Sequence, residues 1–171
     1  MKRSLCLLAG LLTLSLLPAG AADEKTYPAK NPVMKFELPA KWTSEVDSAD
    51  GSISISSDDE DERISVNFVE LPLGASLDAF KELVPEMIKE LKDPKEIEPA
   101  KEQISDGLTG YTTGYIGVYE GHQAMMIMIL FKGGEKRSIL GTVVMMEPAT
   151  MPKEQTAKFD AFMNSLHGIG K

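Results

Sequence analysis

Few side chains in this sequence could carry chemistry, and their settings narrow what that chemistry would be. There are two histidines, His122 beside an expected turn and His167 at the expected end of the last helix. Neither stands in a Gly-x-Ser-x-Gly or His-Glu-x-x-His context, the settings that mark a serine nucleophile or a zinc-bound water. Carboxylates gather at Asp47 and Asp50 before Gly51, and in the run Asp58-Asp59-Glu60-Asp61-Glu62. A calcium loop needs oxygen ligands at alternating positions, a glycine that turns the chain and a distal bidentate glutamate. The first pair has too few ligands and the run has no glycine, so a solvated hairpin tip that discourages edge association is expected.

Methionine is over-used. Met125, Met126, Met128, Met145 and Met146 crowd two expected neighbouring strands, and thioethers select Cu(I). His122, Met126 and Met128 share one parity and would project to the same face. Both strands are otherwise apolar, and methionine is an ordinary filler of irregular core gaps. The metal alternative thus has two forms, copper on these strands or calcium at the acidic tip, and no metal or cofactor is assigned. Tyr111, Tyr115 and Tyr119 also share a parity, with Thr113 and Gly117 between them. Tyrosine rows with small neighbours make contact surfaces, because each ring offers area at low entropic cost plus a hydroxyl. They are the partner-binding candidates; the alternative is a half-buried sheet face lying under a helix.

The first residues bear on where such chemistry would operate. Lys2 and Arg3 form a basic start, Leu5 to Leu17 an apolar stretch of 13 residues, and Ala19-Gly20-Ala21 a small-residue end. This pattern predicts a cleavable signal peptide over residues 1–21, because the stretch falls short of the roughly 20 residues that span a bilayer. The only cysteine, Cys6, lies inside it and lacks a Leu-x-x-Cys lipobox. The mature chain is then cysteine-free, with no disulfide and no thiolate. Without Lys2 and Arg3, 26 acidic residues face 16 basic ones, a net charge of −10. That balance argues against nucleic acid and anionic membranes as partners. No later apolar run reaches membrane-spanning length. A periplasmic or secreted protein is expected, of undetermined oligomeric state.

Hydrophobic periodicity supplies the scaffold. Residues 22–33 are polar with two prolines and read as a flexible N-terminal arm; residues 34–168 read as one domain. Met34 to Leu38 alternates as a strand, Asp50-Gly51 predicts a two-residue hairpin turn, and Ile64, Val66 and Phe68 share one face. Leu77, Phe80, Leu83, Val84, Met87, Ile88 and Leu91 recur at helical spacing behind an N-cap at Ser76, with Pro85 on the polar side. Lys95 to Ile104 predicts an irregular strand. Leu108 to Tyr119, His122 to Phe131 and Arg137 to Glu147 predict a meander, turning at Glu120-Gly121 and at 132–135. Ala124 to Phe131 is apolar at every position, so both faces of that strand should be buried. A helix over Pro152 to Leu166 closes the chain. The expected class is α+β, a single antiparallel sheet flanked by helices in an α/β/α sandwich.

Phe36-Glu37-Leu38-Pro39-Ala40-Lys41-Trp42 resembles the Phe-x-x-Pro-x-x-Trp opening of the PsbP/DcrB-like superfamily of small exported domains. Leu71 to Phe80, Asp106-Gly107-Leu108-Thr109-Gly110 and Phe162-Met163-Asn164-Ser165-Leu166 are similar to further features of that group. The resemblance spans most of Met34 to Leu166. It implies a PsbP-like antiparallel sheet between helices, on a scaffold that binds other proteins. Members include photosystem accessory proteins, periplasmic proteins, a nuclear-import regulator and Eag-type secretion chaperones. The expected function is a non-enzymatic binding or assembly factor of the cell envelope, its partner another envelope protein.

Overall fold

Apolar residues at alternate positions build most of the core, and a computed structural model describes residues 23–58 and 63–169 of the chain. The expected signal peptide, with Cys6, and acidic residues 59–62 lie outside the described residues. The strands are β1 (Asp23–Tyr27), β2 (Met34–Leu38), β3 (Thr43–Val46), β4 (Ile53–Ser56), β5 (Ile64–Leu71), β6 (Lys92–Ser105), β7 (Leu108–Tyr119), β8 (His122–Gly134), β9 (Arg137–Met146) and β10 (His167–Gly168). The helices are α1 (Leu77–Met87) and α2 (Lys153–Asn164). A seven-stranded antiparallel sheet runs β3-β4-β5-β9-β8-β7-β6, and helices pack on it as the periodicity requires.

The meander is legible in both sequence and structure. At Glu120-Gly121 and Asp106-Gly107 both turn residues take positive φ (50° and 89°; 42° and 80°), which suits a two-residue hairpin between twisted strands. The Asp50-Gly51 hairpin departs from expectation. Its strands end at Val46 and Ile53, leaving a longer loop whose Asp47 and Asp50 carboxylates accept from the Ala49 and Ser52 amides. Such local bonds give the backbone an alternative to the tight turn.

Residues 23–27, expected to belong to a loose arm, form β1 and pair with β2 from Asp23↔Leu38 to Tyr27↔Met34. With β10 they make a separate three-stranded sheet, order β1-β2-β10. Main-chain bonding holds β1, whose side chains are mostly exposed until Tyr27. That pairing leaves little trace in a polar sequence.

Alternation along β8 sorts its side chains to two faces. Ala124, Met126, Met128 and Leu130 join Phe80 and Val84 of α1 in one buried cluster. Ile129 and Phe131 join Phe159 and Phe162 of α2 and the small sheet's Met34, Phe36 and Leu38 in the other. Phe162 links three layers: its ring centroid lies 5.6 Å from Phe36, 5.8 Å from Trp42 and 6.5 Å from Phe68. Contacts of this kind each add about 0.5–1.5 kcal/mol beyond area burial. A polar chain ties α2 to the β4–β5 connection. Trp42 Nε1 donates to Gln155, Gln155 Nε2 donates to Asp58, and Lys158 Nζ lies 2.8 Å from the same Asp58 oxygen.

Ser76 caps α1 as expected, its Oγ accepting from the Ala79 amide at 3.1 Å. Pro85 sits exposed within the helix. It lacks the N–H that would bond the Lys81 carbonyl, and α1 ends at Met87 rather than continuing to Leu91. A 3₁₀ turn over Ile88–Glu90 carries the chain on to buried Leu91.

Candidate protein-binding site

β7 carries the three tyrosines on the α1 face of the sheet, and all three are half-buried against the cluster around Phe80 and Val84. They therefore form the half-buried sheet face beside a helix that was the alternative to an exposed strip. Tyr111 stacks on Phe80, centroids 6.4 Å apart at 29°, and Lys132 Nζ lies 5.4 Å from the Tyr111 centroid. The Tyr115 hydroxyl donates to Glu96 at 3.4 Å. Burial raises the Tyr115 phenol above its ordinary pKa, and the charge of Glu96 adds to the shift. Tyr119 is raised too, first by burial and then by the carboxylates of Glu120 and Glu90.

The small residues between the tyrosines admit neighbouring chain. Thr113 is fully buried and donates to the Glu98 carbonyl of β6 at 2.7 Å. Gly117 is covered by Leu91 and Lys92, where the chain crosses from α1 to β6. The row is thereby divided into Tyr111 and Tyr115 on one side of the crossing and Tyr119 on the other. Tyr119 opens onto a cleft of about 270 Å³ at the C-terminal end of α1, lined by Glu86, Met87, Glu90, Met126 and Val144 among others. Sequence reasoning missed Glu90 as a companion of Tyr119, since the two are far apart along the chain. The only local signal was Glu86 and Glu90 at helical spacing on the polar side of the stripe.

The metal candidates do not converge. Met126 and Met128 are buried in the α1-side core, 3% and 0% exposed, whereas His122 is exposed at the start of β8. Four residues of strand separate His122 from Met126 by about 14 Å, too far for one ion. His122 Nδ1 instead lies 3.5 Å from Glu147, and His167 Nδ1 3.9 Å from Asp106. Asp47 and Asp50 turn onto their own loop, and Asp58 is held by Lys158. Among the described residues, no group of three or more His, Cys, Asp or Glu is placed to hold a metal ion. Nor is any described helix long and apolar enough to cross a membrane.

No protein-family model matches the sequence, and no curated protein sequence matches it. Solved structures do share the fold. LpqN of Mycobacterium tuberculosis, described as involved in cell envelope biogenesis, superposes with a TM-score of 0.57 at 10% identity, over 88% of this chain and 92% of that one. A crystal structure from Bacteroides thetaiotaomicron gives a TM-score of 0.55 at 10% identity, over 88% of this chain. The match spans 49% of that Bacteroides chain, about half its length. At such identity the likeness is one of fold.

Proposed function

We propose that this chain is an exported, non-enzymatic protein-binding domain that serves an assembly or accessory role in the cell envelope. The observation that carries the reading is the half-exposed tyrosine row on β7. Tyr111 and Tyr115 lie half-buried on β7 beside β6, an edge strand whose side chains are mostly exposed. Aromatic side chains held by packing lose little entropy on association and are common anchors at interfaces. The leader-like residues 1–21 place the protein in the periplasm or outside the cell in this reading. The envelope role described for LpqN is compatible with it, as is kinship with PsbP/DcrB-like domains.

Site-specific photo-crosslinking tests the proposal. A benzophenone amino acid at Tyr115, in protein expressed with its leader, should yield a discrete protein adduct in envelope fractions. The same probe at Ser54, on the same face but near the opposite edge of the sheet, should not. Protein retained in the cytoplasm, or equal adducts from both positions, would refute the reading.

A further inference from the structure

β1 starts almost where the expected leader ends. Ala22 alone stands between the expected cleavage point after Ala21 and Asp23, which pairs with Leu38. The pairing then continues without a break to Tyr27↔Met34, and β1 is an edge of its small sheet. Burial along the strand is uneven. Asp23, Glu24 and Thr26 are exposed and Lys25 is half-buried, whereas Tyr27 is 3% exposed with its ring 6.1 Å from that of Phe68. The ion pairs of this stretch, Lys25 with Asp23 and Lys35 with Glu24, lie at the surface and hold little. Residues 23–26 can therefore leave β2 for little more than the loss of main-chain bonds, but Tyr27 cannot leave without opening the core.

We propose that β1 peels back as far as Tyr27, and that this opening admits a leader peptidase to the Ala21–Ala22 bond of the folded precursor. Cleavage and completion of the three-stranded sheet are thereby coupled. The inference rests on the export reading and goes beyond it. An enzyme that binds an extended chain does so through main-chain hydrogen bonds, so Asp23 and Glu24 cannot lie in the peptidase and on β2 together. Hydrolysis breaks the bond between the Ala21 carbonyl carbon and the Ala22 nitrogen. The oxygen of the water joins the carbon and both its protons end on the nitrogen, leaving a carboxylate on the leader and an ammonium on the mature chain. Tyr27 is the anchor of the device. Its ring stays in the core while the strand is open, so residues 23–26 close again in the same register.

The test gives purified leader peptidase to full-length precursor folded in detergent, with cleavage timed by intact mass. When opening is fast, cutting follows the open fraction of the strand. A Gly-Ser insert of about eight residues between Ala22 and Asp23 frees the bond from β1, and circular dichroism should be unchanged by it. On folded precursor the insert should raise the cleavage rate about tenfold. A synthetic peptide of residues 2–30, which has no β2 to pair with, should be cut as fast as the insert-bearing chain. Equal rates for the two folded precursors, whether slow or fast, would overturn the inference. If the peptide and both precursors stay uncut, the leader assignment falls and the inference with it. Photo-crosslinking at Tyr115 reads the protein-binding surface independently of both.

Discussion

Leu91 packs directly onto Gly117: a Cβ added to Gly117 would lie 3.3 Å from the Leu91 Cβ and 2.9 Å from the Lys92 carbonyl oxygen. The contact fixes where the chain leaves α1 and enters the edge strand, and it separates Tyr119 from the other two tyrosines. Backbone cannot retreat as a flexible side chain would. Gly117→Ala should therefore destabilise by about 1–3 kcal/mol through overpacking, read as a lower urea midpoint. An unchanged midpoint would mean the crossing is not this close.

Burial grades the α1 stripe. Phe80 is completely buried while Leu83 is half-buried. Phe80→Ala should cost about 3–5 kcal/mol. Leu83→Ala should cost clearly less, since much of its side chain remains in contact with water. Equal losses in denaturant titrations would show that the helix is rotated from the orientation described.

The tyrosines should separate in the same way. Tyr111 is stacked on Phe80 and lies beneath Lys132, whereas the main polar contact of Tyr115 is with exposed Glu96. Tyr111→Ser should lower the melting temperature more than Tyr115→Ser. Partner capture at the crosslinking site should be lost in Tyr115→Ser while its circular dichroism is preserved. Loss of fold in Tyr115→Ser would assign that ring a structural role.

Acid stability should depend on one ion pair. Lys158 holds the Asp58 carboxyl below its usual pKa, with help from Gln155. The folded pKa lies below the unfolded value of about 3.9, so the pair stabilises above that pH and its contribution is lost as pH falls through the folded pKa. Lys158 is raised, chiefly by Asp58. Its contribution is complete below about pH 10 and is lost as pH rises through the folded value. Asp58→Asn should flatten the acid limb of the stability profile while leaving near-neutral pH dependence unchanged. An identical acid limb in the variant would exclude the pair as its cause.

Export has its own readout. Intact mass of the exported protein should correspond to a chain beginning at Ala22, and a reductant should leave its melting temperature unchanged because Cys6 is gone. Retention of residues 1–21, or lipid on Cys6, would contradict the leader assignment.

Local patterns determined most elements of this protein and much of its layering. The unbroken apolar run from Ala124 to Phe131 requires cover on both faces, and the stripes ending in Phe80–Val84 and Phe159–Phe162 provide it. Ser76 announces the start of α1, and Glu120-Gly121 the turn into β8, because caps and tight turns depend on a few adjacent residues. The tertiary structure alone decided pairings that rest on main-chain bonds. These include β1 with β2 and the separation of β2 from the large sheet, in which Phe36 reaches Phe68 by packing across layers. It also decided the candidate site. The parity of Tyr111, Tyr115 and Tyr119 is written in β7, but their partial burial comes from α1 and from Leu91 crossing at Gly117. Glu90 and Tyr119 come to line one cleft because a proline-containing helix ends early and its 3₁₀ turn delivers the chain back to the sheet. Contacts between residues far apart in sequence depend on how layers stack, and no short-range periodicity encodes that distance.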